Sequence, residues 1–191
     1  MFERVRGLSW SKAMRMPSDN GFTLLELVII AAIIAVIAVL ALPGFRRARI
    51  SANEASAIGS LRGVNDAELA YSTSAARGGY AIALTTLGLA CPGGRPFLSA
   101  ELAGATTVVR SGYCFTLVDG AGAANGPIDC NGRQSRTAYY ATATSAAWGS
   151  TGTRAFGTTA SGKIWENTAA NAPPTEAQMQ APPTATRHPI Q

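Results

Sequence analysis

Histidine is almost missing from this chain: the sequence has one, His188, close to its C-terminus. Charged residues make up only 14 % of the 191 positions, aromatic residues 7 %, and there are three cysteines. Each scarcity excludes something. A lone histidine in a Pro- and Ala-rich stretch is a poor partner for a nucleophilic serine or cysteine, and the chain has no Gly-x-Ser-x-Gly elbow. Cys91, Cys114 and Cys130 with one histidine match no zinc-ligand spacing, so no metal is expected. With neither a Walker A loop nor a dinucleotide fingerprint, no cofactor is expected either. Asp119 and Asp129 are candidates for a carboxylate pair, but loop aspartates are far more often turn formers. An enzyme is therefore not expected. The few aromatic residues lend no support to a conducting stack, and no internal repeat is visible.

Charge is scarce but uneven. The formal net charge is +5 and the sequence pI about 9.5, which at first suggests a nucleic-acid binder. Four basic residues, Arg4, Arg6, Lys12 and Arg15, precede Gly21, and Arg46, Arg47 and Arg49 follow directly on an apolar run. Both clusters flank a membrane-length segment, where positive charge sets orientation. Without residues 1–21, which hold four basic and two acidic side chains, the remainder carries a formal +3. No basic stripe interleaved with aromatics accompanies that modest charge. Few charges and abundant Ala, Gly, Thr and Ser suit a protein outside the cytoplasm, or one that packs against copies of itself.

Residues 22–42 read FTLLELVIIAAIIAVIAVLAL, with Glu26 as the one charge. At about 1.5 Å per residue such a run spans roughly 32 Å, enough for the hydrocarbon core of a bilayer. A soluble core helix would show a polar face, and this segment is apolar all round. A secretory signal would have a shorter apolar centre followed by a small-x-small cleavage site. Pro43 lacks the N–H that continues a helical ladder, so a break or kink is expected near Leu40 to Pro43.

From Arg46 the pattern becomes amphipathic. Ile50, Ala57, Leu61, Val64, Ala67 and Tyr71 recur along one helical face, while Arg47, Arg49, Glu54, Arg62 and Asp66 fill much of the rest. Gly59 and Gly63 weaken the helix or let something pack closely on it. Arg77-Gly78-Gly79 ends it with a left-handed cap. A loop region follows, with a turn cluster at Cys91 to Pro96 and a short helix near Leu98 to Leu102. Strands are expected at 107–118, 136–144, 153–159 and 163–166, the last two joined by a turn at Ala160-Ser161-Gly162. From Ala172 on, the Pro- and Ala-rich sequence lacks the large apolar groups needed to order itself, and a mobile tail is expected.

Gly21-Phe22-Thr23-Leu24-Leu25-Glu26 opens the apolar run and Pro43 closes it. This resembles the N-terminus of type IV pilins and of the related pseudopilins of type II secretion. Asn53 to Arg62, Tyr71 and Gly79-Tyr80 are similar to the lower half of the long pilin helix in a subset of that family. Gly112-Tyr113-Cys114-Phe115, Tyr139-Tyr140-Ala141 and Gly157 to Ile164 are similar to its sheet strands. The resemblance implies an α+β fold: a long N-terminal helix, half transmembrane and half amphipathic, packed on a small antiparallel β-sheet head. It implies a leader at 1–21, a transmembrane and filament-core helix at 22–45, a head at 46–171 and a tail at 172–191. It further implies cleavage between Gly21 and Phe22 by prepilin peptidase, N-methylation of Phe22, and a role in filament assembly for Glu26. Two departures stand out. Ala35 occupies a place where many pilins carry glycine, leaving Pro43 as the main helix-breaking residue. The head also lacks the acidic cluster near its C-terminus that binds calcium in major pseudopilins.

The glutamate can be argued from physics as well. A carboxylate in a membrane helix costs up to about 3 kcal/mol at mid-bilayer and less near the interface. The amine of Phe22 on a neighbouring subunit would offset that cost only in one axial register. A glutamate that merely reaches back to the headgroups is the alternative. An odd cysteine count leaves at least one thiol unpaired or shared between chains. Cys114 lies on an expected strand and Cys130 shortly before the next, so a Cys114–Cys130 disulfide is expected, with Cys91–Cys114 as the alternative.

These readings lead to a structural subunit of a type IV pilus-like filament. The alternatives are a pseudopilin of a type II secretion system and a membrane-anchored minor pilin that binds DNA or surfaces. Expected partners are like subunits in a helical homo-oligomer, the prepilin peptidase, an inner-membrane assembly platform and membrane lipids. Nucleic acid would need a basic patch built from Arg95, Arg110, Arg133, Arg136 and Arg154. The expected location is the bacterial inner membrane before assembly, then a cell-surface pilus or a periplasmic pseudopilus. Met14 and Met16 are alternative translation starts that would shorten the leader.

Overall fold

The computed structural model describes residues 21–190. Met14, Met16 and the rest of the leader before Gly21 lie outside the described residues. The chain divides into two compact units, one up to Ala41 and one from Leu42 onward.

The first unit holds the apolar start of helix α1, Leu24–Ser74. Leu, Ile, Val and Ala dominate here. Every residue from Gly21 to Phe45 is exposed, and an 18-residue window of α1 with mean hydropathy 3.1 has no buried residue. A helix this apolar is favoured in lipid or against other apolar surfaces rather than in water, and it is long enough to cross a membrane. The break expected at Pro43 is not seen. Pro43 lies inside α1, with helical residues on both sides. The missing N–H removes the ladder bond to the carbonyl of Val39, yet the helix continues through Pro43-Gly44 between the Leu- and Ala-rich turns before it and the Arg-rich turn after it.

The second unit is the α+β head. Ala57, Leu61, Val64, Ala67 and Tyr71 of α1 are buried, so the amphipathic face expected from their spacing is the one used; Ile50 is only partly covered. The helix ends at Ser74, and Arg77 and Gly78 take positive φ of 48° and 100°. Two one-turn helices follow, α2 (Leu84–Leu87) and α3 (Ala100–Ala103). Eight strands complete the head: β1 Thr107–Arg110, β2 Tyr113–Asp119, β3 Asn125–Ile128, β4 Gln134–Arg136, β5 Tyr139–Ser145, β6 Ala155–Thr159, β7 Ile164–Asn167 and β8 Arg187–Pro189. A six-stranded antiparallel sheet runs in the order β1-β2-β5-β6-β7-β8, while β3 and β4 form a separate two-stranded sheet. Tyr113, Phe115 and Leu117 alternate into the core from β2, as do Tyr139, Ala141 and Ala143 from β5. They join the buried face of α1.

Three expectations about elements are corrected. Residues 107–118 are a hairpin rather than one strand: Ser111 and Gly112, with φ of 48° and 72°, turn the chain between Arg110 and Tyr113. Positive φ at both central residues is the hairpin turn whose twist matches that of the strands. Glu54, expected on the solvent side, is buried. Residues 172–190 are not a loose tail. Thr175 and Gln178 form a reciprocal capping box on α4 (Glu176–Gln180), Tyr140 donates its hydroxyl to the Pro174 carbonyl at 2.8 Å, and β8 pairs with β7. Backbone hydrogen bonds on a sheet edge order this segment without large side chains, and prolines reduce the entropy to be lost.

Candidate processing and assembly site

Gly21 to Thr23 precede the helix without regular structure. Phe22 is 75 % exposed, and a Cβ built on Gly21 meets no atom within 4 Å. Among the described residues nothing covers the peptide between them. Nothing within the described chain demands glycine at 21. Thr23 then caps α1: its hydroxyl accepts from the Glu26 N–H at 3.1 Å, and its carbonyl accepts from the Leu27 N–H at 3.2 Å. Thr-x-x-Glu is the sequence form of a capping box, and it satisfies a helix-end donor that lipid could not. Glu26 lies in the first turn, where a negative charge is favoured by the helix dipole. It is exposed and has no ion-pair partner among the described residues. Gly21, Phe22 and Glu26 therefore sit together at the start of one uncovered apolar helix, and Pro43 lies nearly five turns further along it.

The cysteines differ from expectation. Cys91 pairs with Cys130, with Cα atoms 5.6 Å apart, and Cys114 is free. Neither Cys114–Cys130 nor Cys91–Cys114 forms. Cys114 lies inside β2, where it faces Val109 of β1 and Thr144 of β5, so neither sheet neighbour offers a thiol. Cys130 belongs to the β3–β4 turn, and that turn folds against the Cys91 loop through a bond from Asn131 Nδ2 to the Ala90 carbonyl at 3.3 Å. Asp129 is a turn former, as expected: its Oδ1 accepts from the Asn131 and Arg133 N–H groups at 2.9 and 2.7 Å. Its Oδ2 also accepts from the buried Tyr71 hydroxyl at 2.9 Å.

The arginines considered for a basic patch are largely engaged. Arg154 pairs with Glu54 at 2.9 Å and Glu166 at 2.7 Å, Arg110 pairs with Glu101 at 3.3 Å, and Arg136 bonds Asn125. Glu54 also accepts from the Thr153 N–H and hydroxyl, and His188 reaches Glu166 at 2.8 Å. No local spacing reveals this network, because its bonded partners lie up to 100 residues apart. The one available signal was a glutamate recurring three residues before the buried Ala57.

Glu68 was also missed. It is fully buried, with Oε2 accepting from the Ala81 N–H at 2.9 Å and Oε1 left without a partner. Burial pushes its carboxyl up to about 8, opposed in part by the Ala81 bond.

A search of curated proteins and a search of solved structures each found no match to this chain. A family model described as the prokaryotic N-terminal methylation motif matches residues 16–42, which include the Gly21–Phe22 peptide, the capped helix start and Glu26. Over those residues the chain carries the signature of type IV pilins and pseudopilins.

Proposed function

We propose that this chain is a structural subunit of a type IV pilus-like filament, held in the inner membrane by residues 22–45 until it is assembled. The observation that carries this reading is the uncovered apolar start of α1, with one carboxylate in its first turn directly behind an open Gly21–Phe22 peptide. Prepilin peptidase cuts that peptide and methylates Phe22. The apolar surface then passes from lipid to the helices of other subunits, and Glu26 sets their register by pairing with the Phe22 amine of a neighbour. The chain itself is not an enzyme; the chemistry is done to it. The head forms the outer surface of the filament.

A pseudopilin of a type II secretion system shares all of these features and would stay in the periplasm. A minor pilin that captures DNA has less support, since Arg110 and Arg154 are already paired with carboxylates. The test is intact mass of the subunit from sheared surface filaments. The expected species begins at Phe22 and carries one added methyl group. A chain in filaments that still holds residues upstream of Phe22 would overturn the reading.

A further inference from the structure

Beside the buried face of α1, the head has a groove of about 410 Å³ whose lining includes none of Gly21, Phe22 and Glu26. One wall is α1, with Arg62, Asn65 and Asp66, and the other is the turn at 160–162 between β6 and β7. Tyr80 and Tyr139 also line it, their rings 5.1 Å apart and tilted by 60°. Asn65 locks these parts together. Its Nδ2 donates to the Gly162 carbonyl at 3.0 Å, and its Oδ1 accepts from the hydroxyls of Tyr139 at 3.0 Å and Thr158 at 3.1 Å. Tyr80 is fixed by reciprocal backbone bonds with Arg136 at 2.7 and 3.0 Å. The groove is therefore preformed, and its volume falls within the range of small-ligand clefts, about 300–1,000 Å³.

Arg62 and Asp66 stand one helical turn apart, both exposed, and neither makes an ion pair or side-chain hydrogen bond among the described residues. A free guanidinium offers several donors and a free carboxylate several acceptor sites, the two kinds of partner that a pair of hydroxyl groups takes. Tyr139 is buried beneath, and the half-buried Tyr80 ring packed against it offers an apolar face against which a sugar ring's C–H groups can lie. Because the two charges balance, the groove has no preference for an anion. We infer that this groove binds a neutral saccharide of one or two pyranose rings, with Asp66 and Arg62 holding adjacent hydroxyls over Tyr80. This would give the head a recognition role beyond its place in a filament, and it does not depend on the filament reading.

The test is ligand-observed saturation-transfer NMR on the full chain in a non-glycosidic detergent. The probes are cellobiose, maltose, lactose and N,N′-diacetylchitobiose, with glucuronic acid and the peptide Gly-Ser-Gly as comparisons. The expected result is transfer to at least one neutral disaccharide. It should weaken at least fivefold in both Asp66→Asn and Arg62→Gln and stay unchanged in Arg95→Gln. Both test positions are exposed, and circular dichroism checks that the variants fold. Absence of transfer to every disaccharide, equal transfer in the variants, or stronger transfer to glucuronic acid or the peptide would each overturn the inference.

Discussion

Glu26 and Glu68 are two carboxylates on one helix with opposite settings, and each has its own test. Glu26 is exposed on the apolar segment, so its cost is borne by the medium around it. Glu26→Ala should insert into membranes and be cleaved as well as the parent, yet filament yield should fall steeply. The neighbour's amine would then be left unpaired in apolar surroundings. Glu26→Gln should behave nearly as badly, since it keeps the shape and loses the charge. Membrane immunoblots for cleaved subunit and sheared filaments for assembly measure the two steps separately; normal yield from Glu26→Ala would make the glutamate a passive interfacial residue. Glu68 is buried inside the head, and its carboxyl is raised from 4.5 to about 8 by desolvation. A folded-state value above the unfolded one means that the native head holds the extra proton. Its contribution is full below about pH 4.5 and is lost as pH rises through about 8. Glu68→Gln should remove a slope of up to about 1.4 kcal/mol per pH unit over that window and be the more stable form at pH 8. Urea unfolding of the head at several pH values measures this; parallel curves for the two proteins would place the proton elsewhere.

Among the elements, the Cys91–Cys130 bridge ties the loop after α2 to the β3–β4 turn across 39 residues of chain. Closing a loop of that length is worth about 3–4 kcal/mol. Cys130→Ser should therefore lower head stability by roughly that amount, whereas Cys114→Ser should change it little. Thermal unfolding with and without reductant checks both, and equal effects of the two substitutions would contradict the pairing. This pairing also shows where the sequence could be read and where it could not. The buried face of α1, the end of that helix at Arg77-Gly78 and strands β5, β6 and β7 were legible because periodicity and turn residues are local signals. The methylation-motif segment was legible because Gly21, Phe22 and Glu26 are contiguous with an apolar run of membrane length. The bridge was not, because β2 lies between β1 and β5 and the two-stranded β3–β4 sheet is set apart, a choice of topology that no local spacing reveals. The C-terminal strand was hidden for a related reason. Composition reports how much a segment can bury, and Arg187–Pro189 is ordered by the sheet edge it completes.

For the whole molecule, the uncovered apolar surface belongs to one unit and the packed core to the other. A chain beginning at Arg46 should accordingly be a soluble monomer on size-exclusion chromatography, while the chain from Phe22 should need detergent. Self-association of the shorter chain would move the main interface to the head. Within the head, Arg154 bonds Glu54 on α1 and Glu166 on β7, and Glu166 in turn holds His188 on β8. One guanidinium thus links the helix to the last two strands of the sheet. In a filament under tension, a pull along α1 would enter the sheet at Glu166, opposite the final strand. That strand would be gripped at its middle residue by the side chain that takes up the load, so traction on the fibre would tend to shear the chain's end in place rather than peel it away.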